Sequence, residues 1–191
     1  VDIGCHYGYP IPRDSVSQYM SYIGWLVRDV PGPMWTWVQN FAWSRTANDY
    51  RIGVNEDPGN PVPDPEQVRI VAHSAVNRNV RGLLFFPHRH LHFQPELAAE
   101  VALFCHETRL FNDELAAGAI AEDLETPGSD VNASSFTYGG NVVVSAFIDG
   151  DHYHRWMDEA IRENVVIHVP WPGPGLPTAI VTQTPDVVDC A

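Results

Sequence analysis

Met34-Trp35-Thr36-Trp37-Val38-Gln39-Asn40-Phe41 follows the breaker Pro31-Gly32-Pro33 and runs into a long polar stretch. Aromatic and β-branched residues fill these eight positions, and period-two alternation puts Trp35, Trp37, Gln39 and Phe41 on one face, so residues 34–41 read as a strand. Upstream, Val1 to Tyr7 reads as a second strand, with Asp2, Gly4 and His6 on one face and Val1, Ile3, Cys5 and Tyr7 on the other. Between the two, Ser15 and Gln18 form a capping-box pattern, and Val16, Tyr19, Met20, Ile23, Val27 and Val30 recur at the spacing of one helical face. Downstream, Asp64 caps and Pro65 opens a helix whose apolar stripe is Val68, Val71, Ala72, Ala75 and Val76. Val80 to Phe86 is apolar nearly throughout, the pattern of a parallel strand covered on both faces. A last helix starts near Pro95 and carries Leu97, Val101, Phe104, Thr108, Phe111 and Leu115 to Gly118. Strand and helix alternating three times predicts βα units on a parallel sheet, an α/β arrangement.

After Gly118 the pattern changes. An acidic connector at 119–130 leads to short alternating segments, Val131 to Tyr138, Asn141 to Ile148, Val165 to Val169 and Thr178 to Gln183, separated by Pro- and Gly-rich turns. Residues 131–191 are therefore expected to form a small antiparallel β-sandwich. So small a core is marginal alone, which predicts that it packs on the preceding helices.

Composition narrows the partners. Of 191 residues, 45% are hydrophobic and 18% charged, enough apolar surface for an ordinary globular core. Twenty-four acids oppose eleven bases, all of them Arg because the chain has no Lys, and the net charge is −13. Phosphate backbones and anionic lipid would be repelled, so nucleic acid is not an expected partner. No apolar run reaches the roughly 20 residues of a membrane span. Cys5, Cys105 and Cys190 lack C-x-x-C spacing, which argues against a structural zinc site and a dense disulfide framework while leaving one bridge open.

The order of these segments, namely the first strand with Tyr9-Pro10, the Pro33 to Gln39 strand, the long loop, the Pro63-Asp64-Pro65-Glu66-Gln67-Val68-Arg69 helix start, Arg81-Gly82-Leu83-Leu84-Phe85-Phe86 and the final helix, resembles the last third of a glycoside-hydrolase-type (β/α)8 barrel. The trailing β unit is similar to the sandwich domains that follow such barrels. The resemblance implies a partial barrel of about three βα units over 1–118. A closed barrel takes about 250 residues, so the remaining strands would lie on a missing N-terminal part of the same protein or on another copy. Val1 opens directly into a strand without an initiator Met, in keeping with a fragment. The implied partner is carbohydrate, no cofactor is called for, and an extracellular or cell-surface setting is favoured. An open-sheet α/β protein is the remaining structural alternative.

In such a barrel the reactive end is formed where the strands end. His6, Tyr7, Tyr9, Gln39, Trp43, His88, His90 and His92 would sit there, and His6, Tyr7, Gln39, Trp43 and His88 are the sugar-contacting candidates. Indole and phenol rings suit this role because sugar rings present C–H faces to them while their hydroxyls seek polar partners. Trp35 and Trp37 read instead as packing residues. Glycoside hydrolysis needs two carboxylates, yet none of the three strands ends in one. Gln39 stands where many retaining members place the nucleophilic Glu, and an amide cannot take that part. Glu56 and Asp57, in the long loop, read as solvated charges. His88, His90 and His92 alternate so as to point one way, but loop histidines hydrogen-bond backbone or polar ligands more often than they hold zinc, and no metal is expected. The function expected is that of the C-terminal portion of a carbohydrate-active protein whose catalytic acids lie elsewhere. The alternative is a non-catalytic structural or carbohydrate-binding protein.

Overall fold

A computed structural model of the chain describes residues 3–10, 16–40, 63–86, 94–109, 112–113, 122–129, 131–138, 141–148, 165–171 and 173–174. Strand β1 spans Gly4–Tyr7, helix α1 Val16–Asp29, strand β2 Met34–Gln39, helix α2 Pro65–Asn77, strand β3 Gly82–Phe86 and helix α3 Pro95–Thr108. The three strands form one parallel sheet in the order β1-β2-β3, with Gly4 opposite Met34, His6 opposite Thr36, Thr36 opposite Leu83 and Val38 opposite Phe85.

Local hydrogen bonds fix both ends of α2. Asp64 accepts a hydrogen bond from the Gln67 amide at 2.9 Å, and the Asp64 amide donates to Gln67 Oε1 at 3.1 Å, so a reciprocal capping box opens α2. At its other end the Val80 amide donates to the Ala75 carbonyl and the Asn79 amide to Val76, the paired bonds of a Schellman motif, with Asn79 at φ +65°. This left-handed residue turns the chain straight into β3, with Val80 anchored in the core. In α3, Thr108 Oγ1 donates to the Phe104 carbonyl at 3.0 Å, and the helix spans to Thr108; residues 112–113 are also helical, and 114–118 lie outside the described residues. Phe111 and Leu115 lie outside the described residues.

The core sits between the helices and one face of the sheet. Tyr19, Met20 and Ile23 of α1 and Val68, Val71, Ala72, Ala75 and Val76 of α2 are buried against Val38, with Leu83 and Phe85 packed beside them. α3 adds Leu97 and Phe104, and the Phe104 ring meets Phe85 at 6.1 Å and His73 at 4.8 Å, both edge-on. Between α2 and α3, Arg69 donates to both oxygens of Glu107 and, at 2.9 Å, to Glu100, while His73 Nε2 lies 3.2 Å from Glu107 Oε2. The arrangement places a paired guanidinium inside the helix layer, where one unmatched charge would be costly.

The partial barrel and the sandwich are both corrected by this architecture. Eight strands close a barrel by tilting and staggering, whereas here three strands make an open sheet whose edges, β1 and β3, find no further strand among the described residues. Full enclosure of β3 is not found either: all five of its residues are partly exposed, whichever face they point to, as suits the edge strand of the described sheet. Beyond the helices, β4 at Glu122–Asp123, β5 at Val131–Tyr138 and β6 at Asn141–Ile148 form a single antiparallel sheet, and a sandwich needs two sheets face to face. Residues 165–169 contribute only a bridge from His168 to Glu125, Val166 is 57% exposed, and 178–183 lies outside the described residues. The acidic connector instead supplies β4, whose exposed carboxylates suit a sheet edge. This sheet rests against α2 through β6 and through Arg78, which donates to Asp123 at 2.8 Å. Cys5 and Cys105 are free thiols, and no described helix is long and apolar enough to cross a membrane.

Burial, followed by the Arg69 charge, holds the His73 imidazole well below its ordinary 6.5, at about 4, against the opposing pull of Glu107. A histidine kept neutral in the fold takes up its proton more readily when unfolded. Its contribution is present above pH 6.5 and is lost as the pH falls towards 4, by up to about 3 kcal/mol. Urea titrations across this window should show that loss, and His73→Phe should remove most of it. Arg69→Met should destabilise by about 3–5 kcal/mol at neutral pH, because Glu107 is left buried without its partner.

Candidate functional site

Alternation and register sort the sheet into two faces. Gly4 and His6, Met34, Thr36 and Val38, and Leu83 and Phe85 point towards the helices. The opposite face carries Cys5 and Tyr7 from β1, Trp35, Trp37 and Gln39 from β2, and Leu84 and Phe86 from β3. Trp35 lies on Gly82, where a Cβ would come within 2.6 Å of the indole. This face is as apolar as a covered one, yet Ile3, Cys5 and Tyr7 are exposed on it.

Its rings touch one another in sequence. Phe86 meets Trp37 edge-on at 5.4 Å and stacks with Tyr9 at 6.2 Å; Tyr9 in turn lies 5.9 Å from Tyr7. Tyr7 stacks with His6 at 6.0 Å although the two point to opposite faces, so the run turns around the β1 edge. On the helix side His6 meets Tyr22 at 4.9 Å, and Tyr22 stacks with Trp25 at 5.9 Å on the outer surface of α1. Tyr7, Tyr22 and Trp25 are 69%, 47% and 48% exposed, which makes an aromatic ribbon open to solvent along the sheet edge. Burial lowers the pKa of His6, so its ring is a neutral hydrogen-bonding group at physiological pH.

A buried polar contact supports the ribbon. Tyr19 Oη and Thr36 Oγ1 are 2.8 Å apart, and the Tyr19 ring lies under Gly8, whose Cβ, if present, would fall 2.5 Å from Cε2. The backbone between Tyr7 and Tyr9 can approach that closely only because residue 8 has no side chain. Burial pushes the Tyr19 hydroxyl up to about 12, so it stays protonated and available for the Thr36 contact.

The expected site residues separate. His6 and Tyr7 stand in the ribbon. Gln39 ends β2 but is only 1% exposed, so it offers nothing to a ligand at the surface. Trp43 and His88 lie outside the described residues, as do His90, His92, Glu56 and Asp57. Tyr22 and Trp25 were missed, since α1 was read for its buried stripe alone. Their i, i+3 spacing on the opposite side of that helix was the signal that could have found them. Asn40 was missed as well. It follows β2, is fully buried, and neither of its amide atoms has a hydrogen-bond partner, a costly arrangement at the strand end where parallel sheets bind ligands. Neither β1, β2 nor β3 ends in a carboxylate, and Asp64, at the start of α2, is engaged in its capping box.

No protein-family model, curated protein or solved structure matches the chain, so the site stands on its own chemistry.

Gly8→Ala should destabilise by about 1–3 kcal/mol, read from the urea midpoint, because the added methyl drives into the buried Tyr19 ring. Asn40→Leu should act in the opposite direction and raise stability by about 1 kcal/mol, since two unpartnered buried polar atoms are removed.

Proposed function

We propose that this chain recognises carbohydrate, without cleaving it, through the ribbon that runs from Trp25 and Tyr22 around the β1 edge to Tyr7. The single observation behind this reading is that mutually touching rings remain exposed at three positions instead of being buried together. A row of partly exposed indole and phenol rings offers successive flat platforms for the C–H faces of pyranose units. The neutral His6 ring and the phenol hydroxyls supply polar partners for sugar hydroxyls. Recognition rather than hydrolysis follows from the paired carboxylates that glycosidic cleavage demands and from their absence at the described strand ends.

Titration of intrinsic tryptophan fluorescence with oligosaccharides tests the proposal. Binding in the micromolar to millimolar range is expected, and Tyr7→Ala or Trp25→Ala should each weaken it by about 1 kcal/mol or more through loss of one stacking face. Both side chains are exposed, so these variants should fold as the parent does. Saturable binding that neither substitution alters would remove the ribbon from the site, and sugar release by the parent chain would overturn the non-catalytic reading.

A further inference from the structure

If the ribbon binds sugars, its electrostatics also select among them. Aromatic faces carry negative quadrupolar charge and attract cations placed over them, most strongly when the cation is partly desolvated. Tyr7, Tyr22 and Trp25 present such faces to solvent. Two arginines lie beside α1 among the described residues, and each is paired with a carboxylate. Burial lowers the pKa of His6; Arg28, one helical turn beyond Trp25, is paired with Asp29 at 2.8 Å, and Arg78, whose side chain passes Gly24, is paired with Asp123 at 2.8 Å. The whole chain carries a net charge of −13 and no Lys, so the long-range field draws cations in and turns anions away.

We propose that the ribbon formed by Tyr7, Tyr22 and Trp25 is selective for amino sugars, binding glucosamine-type oligomers ahead of neutral glycans and rejecting uronic-acid or sulfated ones. The proposal rests on the carbohydrate reading and specifies its ligand. Each protonated amine sits on the same ring whose C–H face stacks, so one platform makes the apolar contact and the cation–π contact together. Acetylation of that amine removes the charge and keeps the stacking face. The comparison of glucosamine oligomers with their N-acetylated counterparts therefore isolates the charge contribution.

The experiment is a calorimetric titration of the full chain with glucosamine, N-acetylglucosamine and uronic-acid oligomers of equal length, at mildly acidic pH where the amine is protonated. It is run at low salt and at about 1 M salt, where the screening length is only about 3 Å. The glucosamine oligomer should bind about tenfold or more tighter than the acetylated one at low salt, the gap should narrow at high salt, and the uronic-acid oligomer should give no signal. A triple Tyr7→Ala, Tyr22→Ala, Trp25→Ala variant keeps the net charge unchanged, and in it the preference should disappear. Persistence of the full preference in that variant would show diffuse attraction to an acidic protein and overturn the proposal. Equal or tighter binding of the acetylated oligomer would also overturn the selectivity while leaving carbohydrate recognition in place. Absence of binding by every oligomer would defeat the carbohydrate reading itself.

Discussion

Everything described depends on how the middle strand is covered. Val38 lies at the centre of the parallel sheet, fully buried beneath Ile23 of α1 and the valines of α2, while Thr36 is fixed to Tyr19 by a buried hydrogen bond. Burial of these side chains contributes on the order of 1.5–3 kcal/mol each where they are fully enclosed. It also determines which strands can lie beside β2. The left-handed turn at Asn79 delivers β3 to one side, and Pro31 to Pro33 reverse the chain so that β1 occupies the other. The ion-pair network around Arg69 then holds α3 on α2, giving the helix layer a specific register as well as an apolar contact.

That cover is one-sided among the described residues, and the exposure of Tyr7 on the second face goes with it, while Tyr22 and Trp25 extend the ribbon over the outside of α1. Parallel strands generally carry apolar residues towards both faces because both are enclosed. Here the second face keeps the apolar composition without an equal enclosure. Tryptophan and tyrosine suit this position better than leucine or valine, since each combines a broad apolar ring with a polar edge that water or a ligand can satisfy. The rings gain partial burial from one another, and what remains open is a set of flat surfaces. Near it, Asn40 is buried with its amide unpartnered, so the pole of the sheet combines exposed aromatic area with an unmet hydrogen-bonding capacity.

The site was legible from the sequence only in part. His6 and Tyr7 could be found because strand alternation places consecutive residues at a strand end whatever lies around them. Gln39 could be located but not judged: its position at the end of β2 is local, whereas its burial depends on distant segments. Tyr22 and Trp25 escaped because a helical period identifies the buried stripe and says nothing of which exposed residues a neighbouring strand will meet. The contact of His6 with Tyr22 joins residues far apart along the chain, and it exists only because α1 packs over the β1 edge.

Local chemistry in the sequence was sufficient for the elements themselves. The alternation of residues 34–39, the apolar stripe from Val68 to Val76, the Asp64-Pro65 helix start and the paired β-branched segments at 131–138 and 141–148 each specify a backbone period. A period depends on near neighbours alone, which is why these elements and the parallel pairing were foreseeable. How far the sheet extends, whether it curves into a barrel, which of its faces is covered and which aromatic rings meet are properties of packing between segments remote in sequence. The tertiary structure decided them, because a strand carries the same apolar pattern whether its second face is buried against protein or left open.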